Sequence, residues 1–147
     1  MADTTQLPVL YILLRNDMAS MNAGKGMAQA SHASNAFVFE AESRFGQETI
    51  DPKDIDLHNA FEMWKHETTQ GFGTVLVLAV NEQEMRETVD YAKQFQFPAN
   101  TVFDPTYPLI DGETVHFIPV DTCAYVFVSD KNEPIVDLLL GRFPLHP

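Results

Sequence analysis

The chain has 147 residues, one Cys, 45% hydrophobic residues, and a formal net charge of −12 from 9 Lys+Arg against 21 Asp+Glu. That size and apolar content suit one globular domain and argue against disorder, while a lone cysteine excludes an intrachain disulfide framework and a Cys-rich zinc site. The acidic balance argues against generic nucleic-acid binding, which needs cations facing phosphates, and leaves room only for a local basic site.

The longest apolar runs, Val9–Leu14 and Val75–Val80, fall far short of the roughly 20 residues that cross a bilayer. The opening MADTTQLP has neither the basic nor the apolar stretch of a secretion signal, so the cytoplasm is the simplest location. Residues 1–8 are polar and read as a loose tail, with a single domain over 9–147. Val9–Leu14 is apolar on both faces, the pattern of a strand covered by helices on either side. A helical composition follows from Gly26 to Phe45, with Gly46 as its stop.

Asp51 and Pro52 are the N-cap and first residue of a second helix, with Ile55, Leu57, Ala60, Phe61 and Trp64 on one stripe. Gly71 and Gly73 are expected to end it, and Thr74–Val80 reads as a second buried strand. Asn81 with Glu84 three residues on predicts a capping box for a third helix ending near Pro98, with Met85, Val89, Ala92 and Phe95 at helical spacing. Then come a short strand over Ala99–Phe103 and a rigid loop over Asp104–Pro108. Two further strands, Thr114–Val120 and Cys123–Ser129, are joined through Asp121-Thr122, and a short helix within 130–140 keeps Pro134 in its first turn. The expected fold is α/β, a single-layer mixed β-sheet of four to five strands with helices on both faces.

The informative stretch is the end of the first strand and the helix after it. Arg15, Asn16 and Asp17 follow the strand, then Gly24-Lys25-Gly26 precedes the helix. Ligands of open α/β sheets sit at such strand ends, and a helix N-terminus favours an anion. The Walker A pattern is absent, since Gly26 follows Lys25, which argues against nucleotide hydrolysis. Lys25, Gln29, His32 and Ala36 fall on one helical stripe that could line a cleft, with Met27, Ala30, Ser34, Phe37 and Ala41 expected opposite. The plainer alternative is a solvated cation and a half-buried structural histidine. His58, His66, His116 and His146 have no partner at metal-ligand spacing.

Arg15-Asn16-Asp17-Met18 followed by Gly24-Lys25-Gly26-Met27-Ala28-Gln29-Ala30-Ser31-His32-Ala33 resembles the signature of the type 2 peptidyl-tRNA hydrolases. That signature is a strand ending Arg-x-Asp-Leu/Met, then Gly-Lys-Gly-Lys-x-Ala-x-Gln-x-x-His-Ala. Further on, Asp104 and Thr106 match the family's Asp and Thr, and Gly112-x-Thr114-Val115 loosely matches its Gly-Ser-x-Thr-Val. The likeness extends over about residues 9–142 and is specific at 15–33. The Gly-Arg before the loop Thr is missing, and no Lys or Arg occurs between Lys93 and Lys131.

The resemblance implies hydrolysis of the ester between a peptide and the tRNA ribose, with no metal or organic cofactor, no membrane partner, and a homodimer left open. It implies catalytic roles for Lys25, Asp104, His32 and Thr106, and substrate contacts for Arg15, Asp17, Gln29 and Thr114. Asp104 is the expected base or water-orienting group and Lys25 the expected holder of a phosphate or the oxyanion, with Asp17 pairing to fix Lys25. Asp104-Pro105-Thr106 is also an ordinary turn opener. Two other functions stay open: a family-fold protein that binds a protein partner, and a hydrolase of a smaller acyl ester or amide.

Overall fold

The computed structural model describes residues 6–46 and 48–147. The expected tail at 1–8 therefore falls largely outside the described residues. Of its end, Gln6 donates to the Ser129 carbonyl at 2.9 Å and the Leu7 N–H to Asp130 at 3.3 Å.

Four strands form one mixed sheet in the order β2-β1-β4-β3. β1 (Val9–Arg15) runs parallel to β2 (Val75–Val80) and antiparallel to β4 (Thr114–Val128), which pairs antiparallel with β3 (Ala99–Asp111). Because β1 lies inside the sheet, all seven of its residues are buried, as its two-faced apolar run predicts. The outer edge of β2 is covered by the chain end: the Ala79 N–H donates to Pro144 O and the His146 N–H to Val77 O. That contact blunts an edge that would otherwise be open to pairing.

α1 (Ala23–Phe45) crosses one face of the sheet with α2 (Ile55–Lys65) beside it, and α3 (Glu82–Gln94) and α4 (Pro134–Leu140) pack together elsewhere on the sheet. α1 starts earlier than expected because the Asn22 side chain accepts the Lys25 N–H at 2.9 Å and caps it. A Cβ on Gly26 would stand 3.1 Å from Leu14 Cδ2, so a glycine there lets the helix settle against β1. The α3 capping box forms as predicted between Asn81 and Glu84. α2 opens through a 3-10 turn over Pro52–Asp54 and ends at Lys65, well before Gly71 and Gly73.

The core-facing stripe of α1 is Gly26, Gln29, Ala33, Phe37, Ala41 and Phe45, so Gln29 belongs to the buried side while Met27 is 72% exposed. Phe37 centres an aromatic cluster with Phe61, Trp64, Tyr125 and Phe127, at ring separations of 4.8 to 5.9 Å.

The last two strands differ most from expectation. The segment read as a rigid loop at Asp104–Pro108 is part of β3, and the two late strands are one strand, β4. Asp121-Thr122 is not a turn but the site of a register shift, with Thr122 the extra residue between the pairs Val102↔Cys123 and Phe103↔Asp121. A second shift sets Pro105 and Thr106 between the pairs Asp104↔Val120 and Tyr107↔Ile118. Proline lacks a ladder N–H, which is tolerated at a bulge on an edge strand. The actual hairpin turn is Gly112-Glu113, with Gly112 at φ +61, the left-handed backbone that the first position of a two-residue hairpin turn requires. Beyond the reach of β1 the two strands continue as a two-stranded arm.

Arg44 and Asp54 clamp α1 to the start of α2, Nη2 to Oδ1 at 2.6 Å, with the Asp54 side chain only 9% exposed. The Arg44 hydrogen bond holds the Asp54 carboxyl below its ordinary value. A carboxylate with a depressed folded-state pKa stabilises the fold above its unfolded pKa and loses that contribution as pH falls through the folded value. Arg44→Ala is expected to destabilise by about 2 kcal/mol at pH 7 and by less below about pH 3. Urea unfolding of both proteins at the two pH values checks this, and an equal loss at both would remove the ion pair as the cause.

Candidate active site

The groove between α1 and β3 gathers the residues singled out in the sequence. Gln29, 3% exposed, donates through Nε2 to Asp104 Oδ2 at 2.7 Å and accepts the Thr122 hydroxyl on Oε1 at 2.6 Å. Both ends of its amide are therefore fixed, one by β3 and the other by the bulge in β4. The Cys123 thiol donates to the Gln29 carbonyl at 3.4 Å, and burial pushes that thiol up to about 12, so it stays protonated and inert.

Asp104 Oδ1 accepts the Thr106 N–H at 2.9 Å and the Thr106 hydroxyl at 3.3 Å. This local turn is what the Asp-Pro-Thr run makes within the bulge. Partial burial alone would raise the Asp104 carboxyl. The Gln29 amide, the Thr106 N–H, the nearby His32 charge and the Thr106 hydroxyl outweigh it and hold the group below the ordinary carboxylate value. Asp104 is thus an ionised, half-buried acceptor at neutral pH, with His32 exposed beside it.

One turn before Gln29, Lys25 reaches across to β3. Its Nζ donates to the Pro108 carbonyl at 2.7 Å and lies 5.0 Å from the centre of the Tyr107 ring. Tyr107 is fully buried, with its hydroxyl 3.0 Å from Ser20 Oγ. The loop between β1 and α1 is thereby tied to the arm. Lys25 and Asp104 are thus both brought to the seam between α1 and β3, at points four residues apart along the strand.

Three sequence expectations do not hold geometrically. Asp17 does not pair with Lys25: it accepts Arg15 Nε at 2.8 Å and the Glu82 N–H at 3.1 Å, and the Arg15 hydrogen bond lowers its carboxyl. Arg15, 9% exposed, is further held by Glu82 at 3.2 Å and the Asp121 carbonyl at 3.1 Å, and Arg86 joins Glu82 to Asp121. Arg15 and Asp17 thus lie in an ion-pair network that closes β1 onto α3 and β4, where their polar atoms are already engaged. Thr114 pairs with Asp111 at the arm's tip, about 20 Å along the strand from Val120 opposite Asp104. The structure brings Lys25, Gln29, His32, Asp104 and Thr106 together and leaves Thr114 apart.

Thr122, Tyr107 and Ser20 were missed by sequence reading. Thr122 carries a signal, a hydroxyl at the edge of an otherwise apolar strand, which the expected Asp121-Thr122 connection hides. Ser20 and Tyr107 had none, being 87 residues apart in the chain.

Gln29 is buried with both ends of its amide engaged, so its contact is with Asp104. Gln29→Met removes a donor to the carboxylate, so the acid limb of a pH–rate profile is expected to move to higher pH, with kcat lower by about tenfold and KM little changed. An unshifted limb would show that Gln29 serves packing alone.

The peptidyl-tRNA hydrolase PTH2 family model matches residues 8–145. No curated protein matches the chain. A solved structure of a protein of unknown function from Agrobacterium tumefaciens strain C58 is similar in fold, at 12% identity and a TM-score of 0.52, over 95% of this chain and 98% of that one. The match spans both halves of the groove, the α1 stripe and the strand bearing Asp104, and nearly the whole sheet. The chain belongs to the peptidyl-tRNA hydrolase PTH2 family.

Proposed function

We propose that this protein hydrolyses the ester linking a peptide to the tRNA ribose, acting in the cytoplasm on peptidyl-tRNA. The observation that carries the reading is the Gln29–Asp104 hydrogen bond at 2.7 Å, which joins the helix signature to a carboxylate 75 residues downstream. Asp104 Oδ2 keeps a lone pair beyond the one Gln29 uses, enough to accept a proton of the attacking water and aim it. The carboxylate's depressed pKa makes it an orienting acceptor more than a strong base. Lys25 has two N–H groups left after Pro108, which suit the oxyanion of the tetrahedral intermediate. His32, exposed beside Asp104, suits protonation of the departing ribose oxygen.

The test is release of peptide and free tRNA from peptidyl-tRNA, beside an aminoacyl-tRNA control. Release from the first alone is the expected result, and no release from either would end the reading.

A second reading, hydrolysis of a smaller acyl ester or amide by the same groups, is favoured by the net charge of −12. The two differ in salt response: affinity for tRNA falls steeply as salt rises, and affinity for a small neutral ester does not. A third reading, a protein-binding role, draws on the arm. Pro108, Ile110, Val115 and Phe117 share one of its faces by register, with Ile110 at 72% and Phe117 at 65% exposed.

A further inference from the structure

Farther along the same two elements, from Ala36 on α1 and Thr101 on β3, lies a cavity of about 590 Å³ lined by Phe39, Asn100 and Tyr125 among others. This runs into a second cavity of about 360 Å³, since Glu40, Arg44 and Asn100 line both. The second is also lined by Lys53 and Lys93, so three cations from three separate elements meet there. In a chain with only 9 Lys+Arg this is a marked concentration.

The remaining cations are placed otherwise. Arg15 and Arg86 are held in the network on α3, Lys65 pairs with Glu62 at 3.2 Å, and Lys131 and Arg142 line neither cavity of the groove. Facing the cluster are the carboxylates of Glu40, Asp51 and Asp54. Asp54 is engaged by Arg44 at 2.6 Å, and Glu40 accepts the Tyr125 hydroxyl. Lys53 lies 3.8 Å from an exposed Asp51, and Lys93 touches the Asn100 amide oxygen at 3.4 Å. Both ammonium groups are exposed and weakly engaged, so both can turn to an anion.

We infer that this basic end of the groove docks the phosphates of the polynucleotide substrate, which lies along α1 with its acyl ester at Asp104 and its backbone at Lys53 and Lys93. The inference rests on the peptidyl-tRNA reading above and gives the substrate a direction. Asn100 is about 13 Å from Asp104 along β3, and Arg44 about 18 Å from His32 along α1, so the span suits the unpaired end of a tRNA. Phe39, 76% exposed on the rim of the larger cavity, offers a ring on which a terminal base can stack. The lining of the second cavity itself carries Arg44, Lys53 and Lys93 against the one carboxylate of Glu40, while Asp54 and Asp51 pair with Arg44 and Lys53, so the cations open to a phosphate are the two weakly held lysines.

The experiment measures peptidyl-tRNA hydrolysis by the full chain, by Lys53→Glu/Lys93→Glu, and by a charge-matched control, Lys131→Glu/Arg142→Glu. The first variant is expected to raise KM about tenfold or more with kcat within about threefold. Lys53→Gln/Lys93→Gln, which removes charge without reversing it, is expected to flatten the salt dependence of log KM by about 1.4, two phosphate contacts at about 0.7 each. The control is expected to stay near the full chain. If the full chain hydrolyses the substrate and the groove variant keeps its KM within twofold, or the control loses as much, the docking assignment falls and the activity stands. If the full chain does not hydrolyse it, both fall together. Matching thermal midpoints among the variants exclude unfolding as the cause.

Discussion

Asp104→Ala is expected to lower the turnover of peptidyl-tRNA by about 10²-fold or more, the loss typical of removing a positioned acid–base or charge-stabilising group. The change removes the acceptor that Gln29 and Thr106 surround and leaves three donor groups without it. Asp104→Asn separates charge from shape. It is nearly isosteric but neutral, so a loss close to that of Ala assigns the effect to the carboxylate, and near-full activity would assign it to position alone. Lys25→Ala is expected to fall comparably, since it removes the ammonium that Pro108 and Tyr107 hold over the groove. Single-turnover rates with these variants check the expectation, and wild-type turnover by Asp104→Ala would remove that residue from the chemistry. Neither change should disturb the fold greatly. Asp104 is half-buried in a strand bulge, and losing its local hydrogen bonds costs on the order of 1 kcal/mol.

Phe37→Ala is expected to destabilise the protein by about 3–5 kcal/mol, the range for truncating a fully buried phenylalanine. Phe37 is 0% exposed and contacts Phe61 and Trp64 edge-on, Phe127 stacked at 4.8 Å and Tyr125 at 5.9 Å. Removing it opens a void where α1, α2 and β4 meet, and none of the neighbouring rings can fill that void without leaving its own contacts. Aromatic pairing adds to the loss beyond the buried area. At roughly 2–4 °C per kcal/mol for a chain of this size, the thermal midpoint should fall by about 6–20 °C. Denaturant unfolding gives the free energy directly, and a loss under about 1 kcal/mol would mean that this cluster is not the centre of the core. Because α1 also carries Lys25, Gln29 and His32, a loosened helix would lower activity too, so the two variants are best compared well below the midpoint of the less stable one.

The two expectations divide the first helix by its faces, and the division is visible only in part from its residues. The small residues Gly26, Ala33 and Ala41 mark where the helix lies close to the sheet. Lys25 and His32 were legible as the other side because charged and ionisable groups avoid burial without partners. Gln29 breaks that logic. It is a polar residue on the core stripe, tolerated there because Asp104 and Thr122 satisfy both ends of its amide. No spacing rule within α1 announces partners that lie 75 and 93 residues away.

What local chemistry dictates, the residues alone determined: the buried run of β1, the Asn81–Glu84 capping box, the Pro134 helix start, and Lys25 and His32 on the less buried side of α1. These depend on periodicity, on caps and on a motif, all written within a few residues of one another. Tertiary structure alone decided the rest. It ran β3 and β4 through prolines and polar residues that read as breaks, because a strand partner supplies the hydrogen bonds that local propensity withholds. It turned Asp17 from Lys25 to Arg15, since the closer guanidinium at the strand end offers two donors to one carboxylate. It also carried Thr114 out to the arm's tip, because a two-stranded ladder fixes distance by register, whatever motif the residue belongs to.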